Sequence, residues 1–459
     1  MHNALLGSST PRPPDGIRTP VLAIVPWGLI LEDFLVPNQL TLGDFCDEFT
    51  GSWMFGYIEA LHAAGIRTMI VCVSSDVDVV TRRVHRPTGA DICLLPVPRF
   101  YRLLRRCMRF PYGRTAATTF RGSRPMQLPL LPLLFAAKEL APFVSMPVRT
   151  LAAELQRDGC RVILCQEYEF PRFDVCVTLG RLRGLAVFAT FQGGDYQRWR
   201  LERIVRPLTV RRAAGLIIPS AAEVERVRAR YRPRAIARIP NPVDLDTWRP
   251  YDRAAARRAL GIPESARVAA WHGRVELWKK GLDTLIDVWA HVSERHPDAL
   301  LLMIGTGKDA ADVRRQIGQL GLENVMWIDR YFHDREEMAR ALASADLYVF
   351  TSRHEGFPLA PVEAMACGLP LVASDVSGIR DVLADGEASG GVIVPSASPE
   401  RMAQMIARLF EDDALRRSLG EAARRRAEAF GTRPIGARLR RFVFASETAS
   451  AVCPPSEGD

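Results

Sequence analysis

Strand-like and helical patterns alternate along almost the whole of this 459-residue chain. Short apolar runs such as VLAIVPW, 21–27, and DLYVFTS, 346–352, are separated by longer stretches such as GLDTLIDVWAHVSERH, 281–296, in which apolar residues recur three and four positions apart. This alternation is typical of parallel sheets with helices packed on their faces. Because the chain is also too long for one ordinary hydrophobic core, the sequence predicts at least two α/β domains.

The predicted strands fall into two sets. The first set is VLAIVPW, RTMIVCV, ICLLPVP, RVILC, LAVFAT and GLIIPS, and the second is RVAAWHG, ALLLMIGT, NVMWI, DLYVFTS, LPLVAS and GGVIVP. Between them lies YRPRAIARIPNPVDLDTWRP, 231–250, whose four prolines indicate a linker or hinge.

The domain boundaries follow from this division. The prediction is a flexible tail at 1–18, an N-terminal domain at 19–240, a C-terminal domain at 241–430, a helix at 431–447 and a second flexible tail at 448–459. Whether the helix at 431–447 returns to the N-terminal domain stays open at this point.

Charge and cysteine content indicate which classes of partner and which cellular compartment suit the protein. The formal net charge of +9 fits an anionic substrate, a membrane surface or nucleic acid without choosing among them. The nine cysteines are scattered without framework or zinc-ligand spacing, which favours reduced thiols and a cytoplasmic setting. The first residues lack the apolar core of a signal peptide. The most apolar window, 126–148, contains Lys138, Glu139 and four prolines, which argues against a spanning helix.

One segment is strongly basic, since residues 99–124 include eight arginines and no acidic residue. Apolar side chains within it recur near helical spacing: Phe100, Leu103, Leu104, Cys107 and Phe110. Two interpretations stay open. The stripe lies at an anionic membrane surface, which would make the protein peripheral at the inner membrane face, or it packs against the core and leaves the arginines in water.

Two glutamates flank a loop in the second half. HEGFPLAPVEAMACGLPLVASD, 354–375, carries Glu355 and Glu363 on the two sides of an apolar run. A strand is predicted to end near Ser352, and a helix follows with Pro361 in its first turn. Such loops bind ligands, and helix N–H groups suit phosphate. For Glu363 alone, a stabilising acid in the first helical turn, worth ~0.3–1 kcal/mol, is the simpler alternative.

A second loop is cationic. In HGRVELWKKGLDTLIDVW, Arg274 follows a predicted strand, and Lys279 and Lys280 precede a helix that opens at Gly281. Such a loop suits two phosphates, although an exposed basic loop is the alternative. The nearby LLMIGTGKD lacks the third glycine of a dinucleotide fingerprint.

These segments together resemble the donor domain of the family-four retaining glycosyltransferases (glycosyl transferases group 1). The similar pieces, within 268–395, are GRVELWKKGLDTLIDVW, LLMIGTGKD, NVMWIDRYF, SADLYVFTSRHEGFPLAPVEAMACGLPLVASDVSGIRDVL and GGVIVP. The resemblance implies the GT-B fold, which is two doubly wound Rossmann-like domains facing each other across a cleft. It also implies metal-independent transfer of a sugar, with retention, from a UDP- or GDP-type sugar to an acceptor hydroxyl in glycan, glycolipid or polysaccharide synthesis.

The resemblance also implies roles for residues of the second half. Arg274 and Lys280 would bind the donor diphosphate, Glu363 the ribose, and Glu355 would lie near the transferred sugar. Arg330 would lie near the base. The backbone N–H groups of the donor loop would meet the diphosphate or the sugar, and this loop comprises Gly356, Phe357, Pro358 and Leu359. No metal ion is expected, because the cations and the helix N-terminus would stabilise the leaving diphosphate.

The first half resembles the family less closely. Gly51 and Ser52 are the candidates for the turn that faces the diphosphate. VFATFQGGDYQRW, 187–199, resembles the segment in which many members carry a histidine near the reacting sugar, and here Gln192 takes that position with Asp195 close behind. Asp195 is therefore a catalytic candidate, with a plain turn as the alternative.

Rival functions are a nucleotide-sugar epimerase of the same fold, a non-enzymatic anion- or nucleic-acid-binding protein, and a catalytically inactive binding protein. Nucleic acid is not expected as a partner, because the arginines cluster in one stretch and no known nucleic-acid module is recognisable. The expected partners are the nucleotide-sugar and a sugar, lipid-linked or small-molecule acceptor.

Overall fold

The computed structural model describes residues 19–26, 28–38, 40–51, 53–113, 115–121, 131–193, 200–396 and 398–445. Two sheets with separate cores form within these residues, and helices cover both, so the predicted α/β class is confirmed.

The N-terminal sheet has eight strands. They are Val21–Val25 (β1), Arg67–Ser74 (β2), Thr81–His85 (β3), Ala90–Pro96 (β4), Val162–Cys165 (β5), Ala186–Thr190 (β6), Gly215–Ile217 (β7) and Ile236–Ala237 (β8). The spatial order is β3-β4-β2-β1-β5-β6-β7-β8, and only β3 in this sheet pairs antiparallel. The strand order therefore reverses between β1 and β5, which is the position where open α/β sheets bind ligands.

Helices of the N-terminal domain cover both faces of this sheet. They are Glu32–Leu35 (α1), Leu42–Asp47 (α2), Trp53–Ala63 (α3), Arg99–Cys107 (α4), Ala116–Thr119 (α5), Leu131–Val144 (α6), Val148–Arg157 (α7), Pro171–Arg183 (α8), Arg200–Arg212 (α9) and Ala221–Tyr231 (α10). Sequence punctuation explains α8 well, because Pro171 begins it and Gly184 ends it in the left-handed conformation.

The C-terminal sheet has six parallel strands. They are Arg267–His272 (β9), Ala299–Ile304 (β10), Val325–Ile328 (β11), Leu347–Phe350 (β12), Leu371–Ser374 (β13) and Gly391–Val394 (β14). Their order is β11-β10-β9-β12-β13-β14, so the reversal lies between β9 and β12. The carboxyl ends of these two strands lead into the two loops that carry the predicted donor site.

The helices of the second half complete the structure. They are Arg253–Leu260 (α11), Leu282–Arg295 (α12), Ala310–Gln319 (α13), Arg335–Leu342 (α14), Leu359–Ala366 (α15), Ile379–Val382 (α16), Pro399–Glu411 (α17), Asp413–Ala427 (α18) and Thr432–Val443 (α19). The last of them, α19, packs on α3 of the N-terminal domain. Its Ile435 and Leu439 are fully buried in the core on that face, so the chain crosses between the domains twice.

Two strands were not predicted from the sequence. The strand β3 reads TRRVH and buries only its last residue, so it lacks the apolar run of a central strand. The strand β8 has two residues within the proline-rich linker and extends the sheet beyond β7. Both are edge strands of the sheet, and the six strands between them are those predicted from the sequence.

Candidate functional site

The two predicted donor loops meet at the carboxyl ends of β9 and β12. The Lys280 ammonium donates to Glu355 Oε1 at 2.6 Å, joining the loop after β9 to the loop after β12. Both side chains are mostly shielded from solvent, with 24% and 12% exposed. The two groups also line a small cavity that reaches the first turn of α15 at Leu359 and Ala360. A cation, a carboxylate and a helix N-terminus therefore converge at one point.

Glu363 is held by a histidine that the sequence analysis did not single out. His272, the last residue of β9, lies 2.9 Å from Glu363 through its Nε2 atom. The imidazole packs between the rings of Trp248 and Tyr348, at centroid distances of 5.9 and 5.3 Å. Glu363 is the fifth residue of α15 and lies beyond the first helical turn. The helix-dipole alternative for Glu363 is therefore wrong, because that stabilisation fades within the first turn.

The donor loop 356–359 differs from the prediction in one respect. Pro358 has no backbone N–H and cannot donate to a phosphate, so within this loop only Gly356, Phe357 and Leu359 carry N–H groups that could do so. The helix α15 starts after Pro358 without a side-chain cap. Its first N–H groups have no acceptor one turn earlier in the helix, which leaves them available to an anion.

Arg274 and Arg330 lie nearer the rim. The Arg274 side chain is 63% exposed, and its contact with Glu276 is long at 3.5 Å. This leaves the guanidinium available for an anionic ligand. Arg330 stacks over Phe332, with the guanidinium carbon 4.0 Å from the ring centroid, and pairs with Glu337.

Gly51 faces a side chain from the opposite domain. The Tyr331 ring stacks on Phe49 at 5.8 Å, and its hydroxyl bonds to the Gly51 backbone. A Cβ atom at Gly51 would lie 1.7 Å from that hydroxyl. Burial raises the pKa of Tyr331 to about 12, so the hydroxyl keeps its proton at neutral pH. In this arrangement Tyr331 covers Gly51, the predicted turn for the diphosphate, and Ser52 lies outside the described residues.

The two domains touch directly beside the donor loop. A Cβ atom added at Gly356 would lie 2.3 Å from the Gly193 nitrogen, so the two backbones meet across the cleft without room for a side chain. The neighbouring Gln192 side chain exchanges two hydrogen bonds with Asn241 of the linker, at 2.7 and 3.0 Å. Gln192 therefore contributes its backbone to the cleft, while its side chain binds the linker. Asp195 lies outside the described residues.

An acidic residue of the N-terminal domain, Glu167, was not predicted from the sequence either. Glu167 follows β5, and its Oε1 accepts a hydrogen bond of 2.7 Å from the Gln192 backbone. Its backbone has φ 59°, an unusual value for a residue with a side chain. The available signal was the run QEYEF directly after a buried strand, since carboxyl ends of parallel strands position functional groups.

Within the described ranges no group of three or more His, Cys, Asp or Glu side chains is arranged to hold a metal ion. The chain does contain two Asp-x-Asp pairs, 76–78 and 244–246. Asp78 pairs with Arg102 at 2.9 Å. Asp244 accepts from Thr247 Oγ1 at 2.6 Å and organises its own turn. One aspartate of each pair, Asp78 and Asp244, therefore has a local partner.

The chain is similar to known proteins in sequence and in fold. The sequence model of the family "Glycosyl transferases group 1" matches residues 252–426. The chain is 36% identical over 196 residues to D-inositol 3-phosphate glycosyltransferase of Segniliparus rotundus, covering 41% of this chain and 42% of that protein. It is also 36% identical over 196 residues to phosphatidyl-myo-inositol mannosyltransferase of Mycobacterium tuberculosis, covering 41% and 49%. The chain thus spans less than half the length of each of these two relatives.

A solved structure resembles this one over nearly the whole chain. Sucrose-phosphate synthase of Thermosynechococcus elongatus aligns with a TM-score of 0.65 at 21% identity, covering 94% of this chain and all of that one. Both halves of the chain therefore take part in the likeness, which confirms the predicted GT-B architecture of two Rossmann-like domains.

Proposed function

We propose that this chain, whose fold is GT-B, is a group 1 glycosyltransferase that moves a sugar from a nucleoside-diphosphate sugar to an acceptor hydroxyl with retention at the anomeric carbon. One observation carries the proposal. The Lys280–Glu355 pair and the His272–Glu363 pair converge on the open N-terminus of α15. Cations and N–H donors that surround one small site, with carboxylates on both sides, suit a ligand that combines a diphosphate with sugar hydroxyls.

Each residue of the site has its own role in the proposed reaction. Glu363, oriented by His272, accepts hydrogen bonds from the ribose hydroxyls. Lys280 and the first N–H groups of α15 stabilise the negative charge that develops on the leaving diphosphate. Arg274 adds its charge from the rim. Glu355 accepts hydrogen bonds from the transferred sugar, and its contact with Lys280 keeps both groups in place before the ligand binds.

Retention follows if the acceptor attacks from the face that the diphosphate leaves. In that step the bond from the anomeric carbon to the diphosphate oxygen breaks, and the bond to the acceptor oxygen forms on the same side. The acceptor proton passes to the departing phosphate. The contact of Gly193 with Gly356 supports this proposal, because it brings the N-terminal domain against the donor loop where the acceptor must approach.

A nucleotide screen followed by donor consumption tests the proposed function. Binding raises the melting temperature according to RT ln(1 + [L]/Kd), so thermal shifts with UDP, GDP and ADP would identify the base. NMR spectra of the matching sugar nucleotide would then reveal the product. Transfer or hydrolysis with release of an α-configured sugar supports the proposal, whereas epimerisation of the intact donor without release supports the epimerase. A chain that binds none of these nucleotides would overturn both.

Activity is expected to persist in EDTA. The reason is that Lys280, Arg274 and the N-terminus of α15 already supply positive charge where a metal ion would stabilise the diphosphate. The measurement is donor consumption before and after treatment with EDTA, with added Mg²⁺ and Mn²⁺ as controls. Complete loss of activity that manganese restores would contradict metal independence.

The acceptor domain carries an exposed apolar stripe on α4. Phe100 is 65% exposed and Leu103 is 62% exposed, while Tyr101 is buried and Leu104 packs against the core. The predicted stripe is therefore divided between two faces, because Leu104 lies on the inner face with Tyr101. The outer face supports the membrane interpretation of this segment, since an apolar surface flanked by arginines suits an anionic lipid surface and a lipid-linked acceptor.

Among the described residues, no helix is long and apolar enough to span a membrane.

Replacing Arg106 and Arg109 by glutamine is expected to weaken binding to phosphatidylglycerol vesicles by about 2 kcal/mol, since each arginine near an anionic leaflet contributes ~1 kcal/mol. Both side chains are exposed. Arg102 and Arg105 are unsuitable here, because they pair with Asp78 and Asp33 at 2.9 Å.

Sedimentation with anionic and neutral vesicles measures this effect. The matched control removes two exposed arginines from α17 of the other domain, Arg401 and Arg408. Equal sedimentation of the wild type with both lipids, or equal losses in both double variants, would contradict a membrane role for α4.

A further inference from the structure

Glu167 occupies the ligand-binding position of the N-terminal sheet. It follows β5, at the point where the strand order reverses between β1 and β5. The corresponding position of the C-terminal sheet, between β9 and β12, is the one that carries Lys280 and Glu355. Glu167 is thus the acidic residue that the acceptor-side domain places at its own switch point.

The two oxygens of the Glu167 carboxyl differ. Its Oε1 accepts the Gln192 N–H at 2.7 Å and so fixes the loop whose next residue, Gly193, touches Gly356. Its Oε2 is buried and has no hydrogen-bond partner within the described part of the chain. Leaving a buried carboxyl oxygen without a partner is unfavourable, so such an atom in a ligand-binding position calls for a ligand group.

The backbone supports the same conclusion. Glu167 has φ 59°, in the left-handed region that costs a residue with a side chain ~1–3 kcal/mol. Apart from Arg232 at the end of α10, it is the one non-glycine residue of the described ranges with positive φ. Strain of this kind clusters at functional sites, where the surrounding structure holds a group in a required direction.

Charged groups around Glu167 come from three elements. Glu169 lies in the same loop, Glu223 on α10, and Lys279 in the loop after β9. Burial, together with the two neighbouring carboxylates, raises the pKa of Glu167 to about 8. The carboxyl therefore keeps its proton to a higher pH than a free glutamate, and in that form it can donate a hydrogen bond as well as accept one.

We infer that Glu167 is a specificity-determining residue of the transfer reaction, whose Oε2 side binds a hydroxyl of the acceptor while Oε1 holds the Gln192–Gly193 loop against the donor loop. This inference rests on the proposed function. It assigns the acceptor rather than the donor sugar, because Glu167 belongs to the domain opposite the nucleotide site.

The partition of the donor between water and an added acceptor tests this role. In Glu167→Ala, transfer relative to hydrolysis should fall about tenfold, since a lost hydrogen bond of about 1.4 kcal/mol corresponds to that factor. The probes are UDP-glucose and GDP-mannose as donors, and glycerol at molar concentration and D-myo-inositol 3-phosphate as acceptors. Glu167→Gln keeps an acceptor and a donor group and should restore most of the partition. The donor KM should stay at its wild-type value in both variants.

Several outcomes are decisive. An unchanged partition in Glu167→Ala, or a loss confined to the donor KM, would overturn the inference. Glu225→Gln, an exposed substitution on α10, is the matched control and should behave as wild type. If the wild type consumes no sugar nucleotide at all, the proposed function fails. This outcome differs from those that overturn only the role of Glu167, in which the wild type is active.

A substrate-free measurement keeps the inference testable in that case. Because folding raises the pKa of Glu167 above its unfolded value of about 4.5, the unfolded state ionises first as the pH rises, and the wild type loses stability between about pH 5 and pH 8. The difference in melting temperature between Glu167→Gln and the wild type should therefore shift in favour of the variant as the pH rises through this interval. Below the interval the difference should not depend on pH. A constant difference would mean that the carboxyl ionises at the same pH in the folded and unfolded states, which contradicts a buried oxygen without a partner, and the inference would fall.

Discussion

Gly356→Ala should lower kcat about a hundredfold while nucleotide affinity stays within about threefold of wild type, because a misplacement of ~1 Å at a reaction centre has effects of this size. The added Cβ atom would lie 2.3 Å from the Gly193 nitrogen and 2.6 Å from the Gln192 carbonyl carbon. Both atoms are backbone and cannot rotate away. The variant therefore pushes the two backbones apart by about 1 Å, the shift that restores van der Waals contact, while Lys280 and Glu363 keep their places in the proposed nucleotide site.

The variant is informative because its backbone is unstrained. Gly356 has no positive φ, so alanine adds no left-handed strain, and any fall in melting temperature reports the lost contacts between the domains. Gly318→Ala is the matched control, since a Cβ atom there meets nothing within 4 Å. Steady-state kinetics with the donor from the nucleotide screen, combined with calorimetric titration of the nucleotide, measure the two effects. A kcat within about threefold of wild type would mean that the Gly193–Gly356 contact does not form during turnover.

The meeting of the loops after β9 and β12 was predictable because its signals are local. Strands, turns and helix starts of the segments around Lys280 and Glu355 follow each other at short range, and the parallel order of the sheet brings their carboxyl ends together. Gly281 and Pro361 indicated where the helices after these loops begin, and this was sufficient to position the loops. Resemblance to a family then assigned roles that spacing alone could not.

Long-range contacts explain most of what the sequence did not reveal. His272 and Glu363 are 91 positions apart, and no periodic pattern links them. Tyr331 reaches Gly51 only because the two domains close on each other. The strand β3 was missed for another reason. It lies at the edge of the sheet and buries only its last residue, so its polar sequence resembles that of a loop.

Glu167 differs from these cases. A carboxylate after a buried strand was visible in the sequence, but its importance depends on a left-handed backbone and an unpartnered oxygen. Both properties come from tertiary packing, so only the structure separates this residue from the neighbouring Glu169, which pairs with Arg226 at 2.7 Å.

Lys280→Ala and Glu363→Ala should each weaken nucleotide binding by ~1.5–3 kcal/mol, the range for hydrogen bonds that involve charged groups, which corresponds to about 10- to 150-fold in Kd. The two losses have different causes. Without Lys280 the diphosphate loses its shielded cation, and Glu355 loses its 2.6 Å partner and repels the ligand. Without Glu363 the ribose loses an acceptor that His272 holds at 2.9 Å.

Ligand chemistry separates these two effects. Calorimetric titration with the nucleoside diphosphate and with the corresponding nucleoside should show that Glu363→Ala weakens both ligands, whereas Lys280→Ala weakens only the diphosphate. Lys308→Ala, an exposed lysine in the loop after β10, is the control for the general loss of a positive charge. Its effect should be small, because an exposed cation is screened by solvent and salt. Wild-type affinity in both site variants, or a loss of equal size in Lys308→Ala, would mean that the nucleotide does not bind between these loops.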